Sequence, residues 1–231
     1  MNSRPANRLY RKCQAKHFHP KHVGEVGVYH PQTSNILDFI WEGTRTFLVE
    51  ADPRSISKIH SFFGDQYPIT LHEVAVFDQK GTIQMQQYDA STFVKSLDAS
   101  PALVNDNYQV KDSDTFEVEA VQFHEIDPGD LDLLSIDIEG SEWFVLKYMK
   151  SRPQVLSIET HGKSYVNPYM SQIQQWVDQN GYQVWFKDKS DTVFVKNGLF
   201  VPTMMEQLSL SWMNSYIKWR RFKSKVKKMF K

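Results

Sequence analysis

Residues 131–142 read Leu-Asp-Leu-Leu-Ser-Ile-Asp-Ile-Glu-Gly-Ser-Glu, a short apolar run that carries two carboxylates, Asp137 and Glu139, to its end. Gly140 breaks the run, Ser141 stands at a helix-cap position and Glu142 falls in the first turn. The pattern is that of a buried parallel strand opening onto a helix, and ligands in open α/β sheets sit beyond the carboxyl ends of such strands. Carboxylates there suit proton abstraction or cation binding. The structural alternative is that one of them caps the following helix. Because they alternate along the strand, Asp137 and Glu139 set out toward opposite faces.

A second strand end carries Ser157-Ile-Glu159-Thr-His161-Gly162. This strand is expected beside the Asp137 strand, which brings Glu159 and His161 toward the same cleft. His161 is a candidate general base, since imidazole titrates near neutral pH; a structural histidine is the other reading. Asp137, Glu139, Glu159 and His161 also offer oxygen and imidazole ligands for a divalent cation. Spacing does not separate these roles, and no resident metal is expected. His17, His19, His22 and His30 match no helical zinc spacing and read as surface histidines.

The elements that must position these groups follow from periodicity. Strands are expected at 23–29, 46–50, 69–77, 82–88, 116–123, 132–137 and 154–159, with closing strands at 182–187 and 192–196. Helices are expected at 33–42, after the Asp52-Pro53 start with Ile56, Ile59 and Phe63 at helical spacing, at 141–150 and near 169–180. Residues 90–114 read as a long polar loop. The order predicts an α/β fold: a doubly wound, Rossmann-like, mostly parallel sheet with a C-terminal antiparallel hairpin.

The 231 residues carry 27 basic and 27 acidic side chains, so the net charge is zero. Six Lys/Arg and no acid fall in 1–24, and eight Lys/Arg and no acid in 207–231, which leaves 13 basic against 27 acidic residues between them. An acidic body is a poor nucleic-acid surface, so no nucleic-acid partner is expected. The lone Cys13 excludes an internal disulfide and suits a reducing compartment. Without a signal-peptide or membrane-spanning pattern, a cytoplasmic protein is expected. Three parts are expected: a basic segment at 1–22, a domain at 23–200 and a basic tail at 201–231.

Val49-Glu50-Ala51-Asp52-Pro53, Glu73-Val-Ala-Val-Phe-Asp78 with Gly81, Ser91-Thr92-Phe93 and Asp132–Glu142 occur in an order and spacing that resemble the FkbM-type class I S-adenosylmethionine (SAM)-dependent methyltransferases. The likeness covers roughly residues 23–196. It implies that Glu25 and Gly27 line the methionine part of SAM and that Glu50 accepts the ribose hydroxyls, as an acid does in dinucleotide folds. Asp52 and Asp78 are the further cofactor-binding candidates, Asp78 near the adenine or in a plain turn. The family's Gly-Ala-Asn-x-Gly-like turn after the first strand is replaced by Gly27-Val-Tyr-His-Pro31. That same segment offers no glycine-rich phosphate turn for NAD(P).

The resemblance implies O-methyl transfer to a hydroxyl of a small molecule, sugar, glycan, glycolipid or secondary metabolite, with Asp137, Glu139 and His161 as the catalytic candidates. The rival is a non-catalytic, membrane-tethered module that kept the fold and lost SAM. Leu208, Trp212, Tyr216, Trp219, Phe222, Val226 and Met229 recur at three- or four-residue steps among basic residues. This amphipathic helix suits an anionic membrane surface, peripheral to the inner membrane face. Packing on the body is the alternative.

Overall fold

The structure, a computed structural model, describes residues 5–88, 91–97, 99–105, 108–188 and 190–229. In chain order its elements are α1 (Arg8–Ala15), β1 (His22–Val26), α2 (Leu37–Trp41), β2 (Arg45–Val49), α3 (Pro53–Phe63), β3 (Ile69–His72), β4 (Ala75–Val76), β5 (Gly81–Tyr88) and β6 (Ser91–Val94). There follow α4 (Pro101–Asn105), β7 (Thr115–Val121), β8 (Leu133–Ile136), α5 (Glu142–Tyr148), β9 (Val155–Glu159), α6 (Met170–Gln179), β10 (Tyr182–Lys187), β11 (Asp191–Lys196) and α7 (Met204–Met229).

Seven strands form the central sheet in the order β10-β11-β9-β8-β1-β2-β3. β1, β2, β3, β8 and β9 run parallel, and β11 is antiparallel to both of its neighbours. Successive side chains of a strand face opposite sides, and both sides here are apolar. Leu133 and Leu48 join a layer with Ile36, Phe39, Ile59 and Phe63 from α2, α3 and the turn before α2. Leu134, Phe47 and Val49 join the opposite layer with Val145, Leu146, Ile173 and Val177 from α5 and α6. The doubly wound α/β sheet with its late hairpin is therefore present.

Several elements differ from expectation. The basic 1–22 segment contains α1, whose Leu9 and Cys13 are buried in the first apolar layer. The expected strand 69–77 divides: β3 pairs with β2, while β4 leaves to pair with β7. β4, β7, β5 and β6 make a second, four-stranded sheet. The 90–114 segment holds β6 and α4, and of its turn residues Asp106 and Asn107 lie outside the described residues. His17 and His19 are exposed, but His22 is buried with Nδ1 2.7 Å from Asp130 Oδ1.

The tail forms one helix with two different faces. Ile217 is buried, Leu210 and Met213 are half-buried, and Glu206 accepts from Lys12 Nζ at 2.9 Å and Trp185 Nε1 at 2.8 Å. Leu208, Trp212, Tyr216, Trp219 and Phe222 are exposed. Val226 and Met229 lie beyond the last described side chain.

Candidate functional site

The carboxyl ends of β1, β2 and β8 open onto a cleft of ≈ 940 Å³, its open mouth included. Glu25, Gly27, Glu50, Asp137 and Glu139 line one side of it, and the second sheet contributes Ala75, Met85, Thr92 and Val94 to the other. Part of the segment read as a polar loop is thus a wall of the cleft.

Gly27 ends β1 with φ +85, a left-handed conformation that favours glycine. Its amide donates to the Val49 carbonyl at 2.9 Å, and the Asp137 amide donates to the Val26 carbonyl at 2.9 Å. The three strand ends are tied together by main chain at this point. Glu25 is buried just before it, where it accepts from the Ser34 hydroxyl and from the Asn35 amide at 2.8 Å. Burial pushes its carboxyl up to about 8, against the opposing effect of those two hydrogen bonds.

Glu50 is held by the backbone. Oε2 accepts from the amides of Val28 (3.0 Å) and Tyr29 (2.8 Å), and Oε1 from those of Ala51 (2.8 Å) and Asp52 (2.9 Å). Four donors match the roughly four lone-pair sites of a carboxylate. Burial raises its pKa while these four bonds pull it down. Glu50 therefore faces the cleft and also fastens the Val28-Tyr29 turn.

Asp137 follows β8 and faces the cleft; burial pushes its carboxyl up to about 7, with Glu142 and Asp188 adding to the rise. Glu139 and Gly140 take successive positive φ values of 57° and 112°, and this tight turn keeps Glu139 at the cleft as well. The Ser141 hydroxyl makes no cap bond, and the Glu142 carboxylate instead accepts from the amides of Ile138 (3.0 Å) and Gly140 (3.1 Å).

Four candidates, the buried Glu159 among them, lie outside the cleft lining. Asp52 caps α3, accepting from the Arg54 amide at 2.9 Å and pairing with the Arg54 guanidinium. Asp78 pairs with Lys147 and accepts from the Tyr148 hydroxyl at 3.0 Å. His161 is buried, with Nε2 3.2 Å from the Asp188 carbonyl and Nδ1 2.9 Å from Thr160 Oγ1. A carbonyl only accepts, so Nε2 carries the hydrogen and donates it, and Nδ1 accepts a hydrogen bond from the threonine hydroxyl. Burial lowers the imidazole to about 4 and keeps it neutral. Both ring nitrogens of His161 are thus occupied within the fold.

Sequence reading missed Asp191 and the depth of Glu142. Asp191 opens β11 directly opposite Glu159, is buried, and accepts from the Ser190 hydroxyl at 2.8 Å. Burial, Asp137 and Asp188 push it up to about 7. The available signal was an acid at the start of a strand whose partner ends in an acid.

A parallel-rich α/β sheet with an antiparallel hairpin, flanked on both faces by helices, is the class I methyltransferase fold. The family model for the methyltransferase FkbM domain matches residues 21–184, and the chain belongs to that family. No curated protein matches the chain. Similar solved structures include the ribosomal protein L11 methylase of Lactobacillus delbrueckii subsp. bulgaricus (11% identity, 81% of this chain and 75% of that chain, TM-score 0.45). Others are the precorrin-6y C5,15-methyltransferase of Geobacter metallireducens GS-15 (12%, 81% and 87%, 0.40) and the fibrillarin of Aeropyrum pernix (12%, 75% and 65%, 0.41), the latter with natively bound SAM.

Proposed function

We propose that the cleft binds SAM and that the protein moves its methyl group to a hydroxyl oxygen of a sugar, glycolipid or other small acceptor. The observation that carries this reading is the meeting, in a methyltransferase-family chain, of Gly27, Glu50 and Asp137 at three adjacent strand ends around one cleft. The residue chemistry fits a cofactor with an amino-acid end and a ribose. Glu25 and the Gly27 turn offer a polar, close-approach surface at one end. Glu50 offers carboxylate oxygens at the other, for which ribose hydroxyls compete with the Val28 and Tyr29 amides.

SAM supplies a methyl group already activated on a sulfonium. What remains for the protein is alignment of the acceptor oxygen and removal of its proton. Asp137 faces the cleft with a carboxyl near neutrality, so it is the assigned proton acceptor; Glu139 lines the same wall and orients the acceptor. His161 holds the 160–161 turn and takes no proton in this reading. The exposed aromatic face of α7 and its basic residues support docking on the cytoplasmic side of an anionic membrane, where a lipid-linked sugar is an accessible acceptor.

Calorimetric titration of SAM into the full chain tests the reading, beside Glu50→Ala. Micromolar binding in the parent, weakened at least tenfold in the variant, is the expected result. No heat and no thermal shift from the parent overturns it. The four amide bonds to Glu50 would then mark a closed turn in a module that retains the fold without the cofactor.

A further inference from the structure

We infer that Asp137, Glu142 and Glu159 form a binding site for one hard divalent cation, of the Mg²⁺, Mn²⁺ or Ca²⁺ class, adjoining the cleft at Asp137. One carboxylate oxygen from each lies within 4.8 Å of the others. Glu142 and Glu159 are buried, and Asp137 reaches the cleft. Among the described residues no lysine, arginine or histidine forms an ion pair with any of the three, whereas Asp52 and Asp78 each have a basic partner.

A buried acid cluster alone is not a site, since shared protons also remove its charge. The second observation is Glu159 Oε2. It is fully enclosed, on a residue 7% exposed, and has no hydrogen-bond partner. A carboxylate oxygen is acceptor-only when ionised, and burying it without a partner costs several times what a typical hydrogen bond contributes. A cation satisfies it directly. The Glu142 geometry agrees, because the Ile138 and Gly140 amides on Oε1 and the Asn167 amide on Oε2 hold that carboxylate in one orientation. Oriented oxygen ligands pre-form a hard-cation site, and water or an acceptor hydroxyl entering from the cleft completes the coordination. The donor set contains no thiolate or imidazole, which disfavours zinc and copper.

The site itself does not depend on methyl transfer. Its use, lowering the pKa of an acceptor hydroxyl beside Asp137, rests on the function proposed above. Manganese is therefore titrated into the full chain without SAM, and free Mn²⁺ is read by electron paramagnetic resonance. One Mn²⁺ per chain, displaced by Mg²⁺ or Ca²⁺, is expected. Glu159→Gln should weaken it at least tenfold, while Glu25→Gln, which removes a cleft carboxylate outside the triad, should leave it within twofold. Near-UV circular dichroism establishes that Glu159→Gln is folded, and Asp137→Asn serves as the alternative if it is not. No binding at millimolar Mn²⁺, or binding insensitive to both triad substitutions, overturns the site. Retained SAM binding in the same preparation would show that the cation site alone had failed.

Discussion

A β-carbon built on Gly27 would stand 1.8 Å from the carbonyl oxygen of Asp137. The turn proposed to face the cofactor and the acid assigned as proton acceptor are thus in close backbone contact. Gly27→Ala must clear that oxygen and also hold an alanine at φ +85. Left-handed backbone costs an L-residue about 1–2 kcal/mol, and overpacking commonly adds about 1–3 kcal/mol. Urea unfolding should show a loss of about 3 kcal/mol, with SAM binding reduced at least tenfold in whatever remains folded.

Glu25 sets a pH dependence whose sign is fixed by its burial. Its folded-state pKa of about 8 lies above its ordinary value of 4.5, so between those values the folded chain holds a proton that the unfolded chain releases. Stability from this group is fully present below about pH 4.5 and is lost as pH rises through 8. One proton corresponds to a slope of about 1.4 kcal/mol per pH unit. Denaturation of the metal-free protein between pH 5 and 8 should show falling stability, and Glu25→Gln should flatten the slope by close to one proton. An unchanged slope would mean Glu25 is ionised throughout and held by Ser34 and Asn35.

Substitutions of Asp137 and His161 test the proposed division between a reacting group and a structural one. Asp137→Asn keeps the size of the side chain and removes its basicity, so turnover should fall by about 10²–10⁴ while SAM affinity stays within threefold. His161→Gln should lower the melting temperature through the Asp188 and Thr160 contacts and leave the shape of the pH–rate profile unchanged. Unchanged turnover in Asp137→Asn, Glu139→Gln together would exclude this wall as the place of chemistry.

What could be read without coordinates was local. The 131–142 run names its own strand, glycine break and helix, and Asp137 follows from them. Glu25, Gly27 and Glu50 were singled out by the resemblance of their surrounding motifs, and all three line the cleft. Pairing was not legible. Glu73 and Val74 sit between β3 and β4, and nothing in Ile69–Phe77 says that the chain changes sheets there, because both halves read as one extended run. Hydrogen-bond partners were equally invisible. The Asp188 carbonyl and the Thr160 hydroxyl take both ring nitrogens of His161 while burial keeps it neutral, Arg54 and Lys147 occupy Asp52 and Asp78, and four amides occupy Glu50. Residue type identified these groups as reactive, and their partners decided which of them reach the cleft.

The tail gives the last prediction, because α7 presents two faces and only one is covered. Ile217 packs inward, while Trp212 is 64%, Trp219 54% and Phe222 67% exposed. Trp212 stacks on Tyr216 with centroids 5.5 Å apart, and Tyr216 on Trp219 at 6.1 Å, so the face is a continuous aromatic strip. Packing on the body therefore does not account for the stripe. No helix among the described residues is long and apolar enough to cross a membrane, which leaves a surface-lying geometry for a lipid partner. Indoles insert at the headgroup level, and each Lys or Arg close to an anionic leaflet adds about 1 kcal/mol. The full chain should co-sediment with vesicles containing 30 mole per cent phosphatidylserine and not with pure phosphatidylcholine. Moderate salt should weaken binding, and Trp212→Ser, Trp219→Ser together should abolish it without changing the melting temperature. If the two tryptophans prove indifferent, the strip is a protein-docking face and the acceptor is to be sought among soluble compounds.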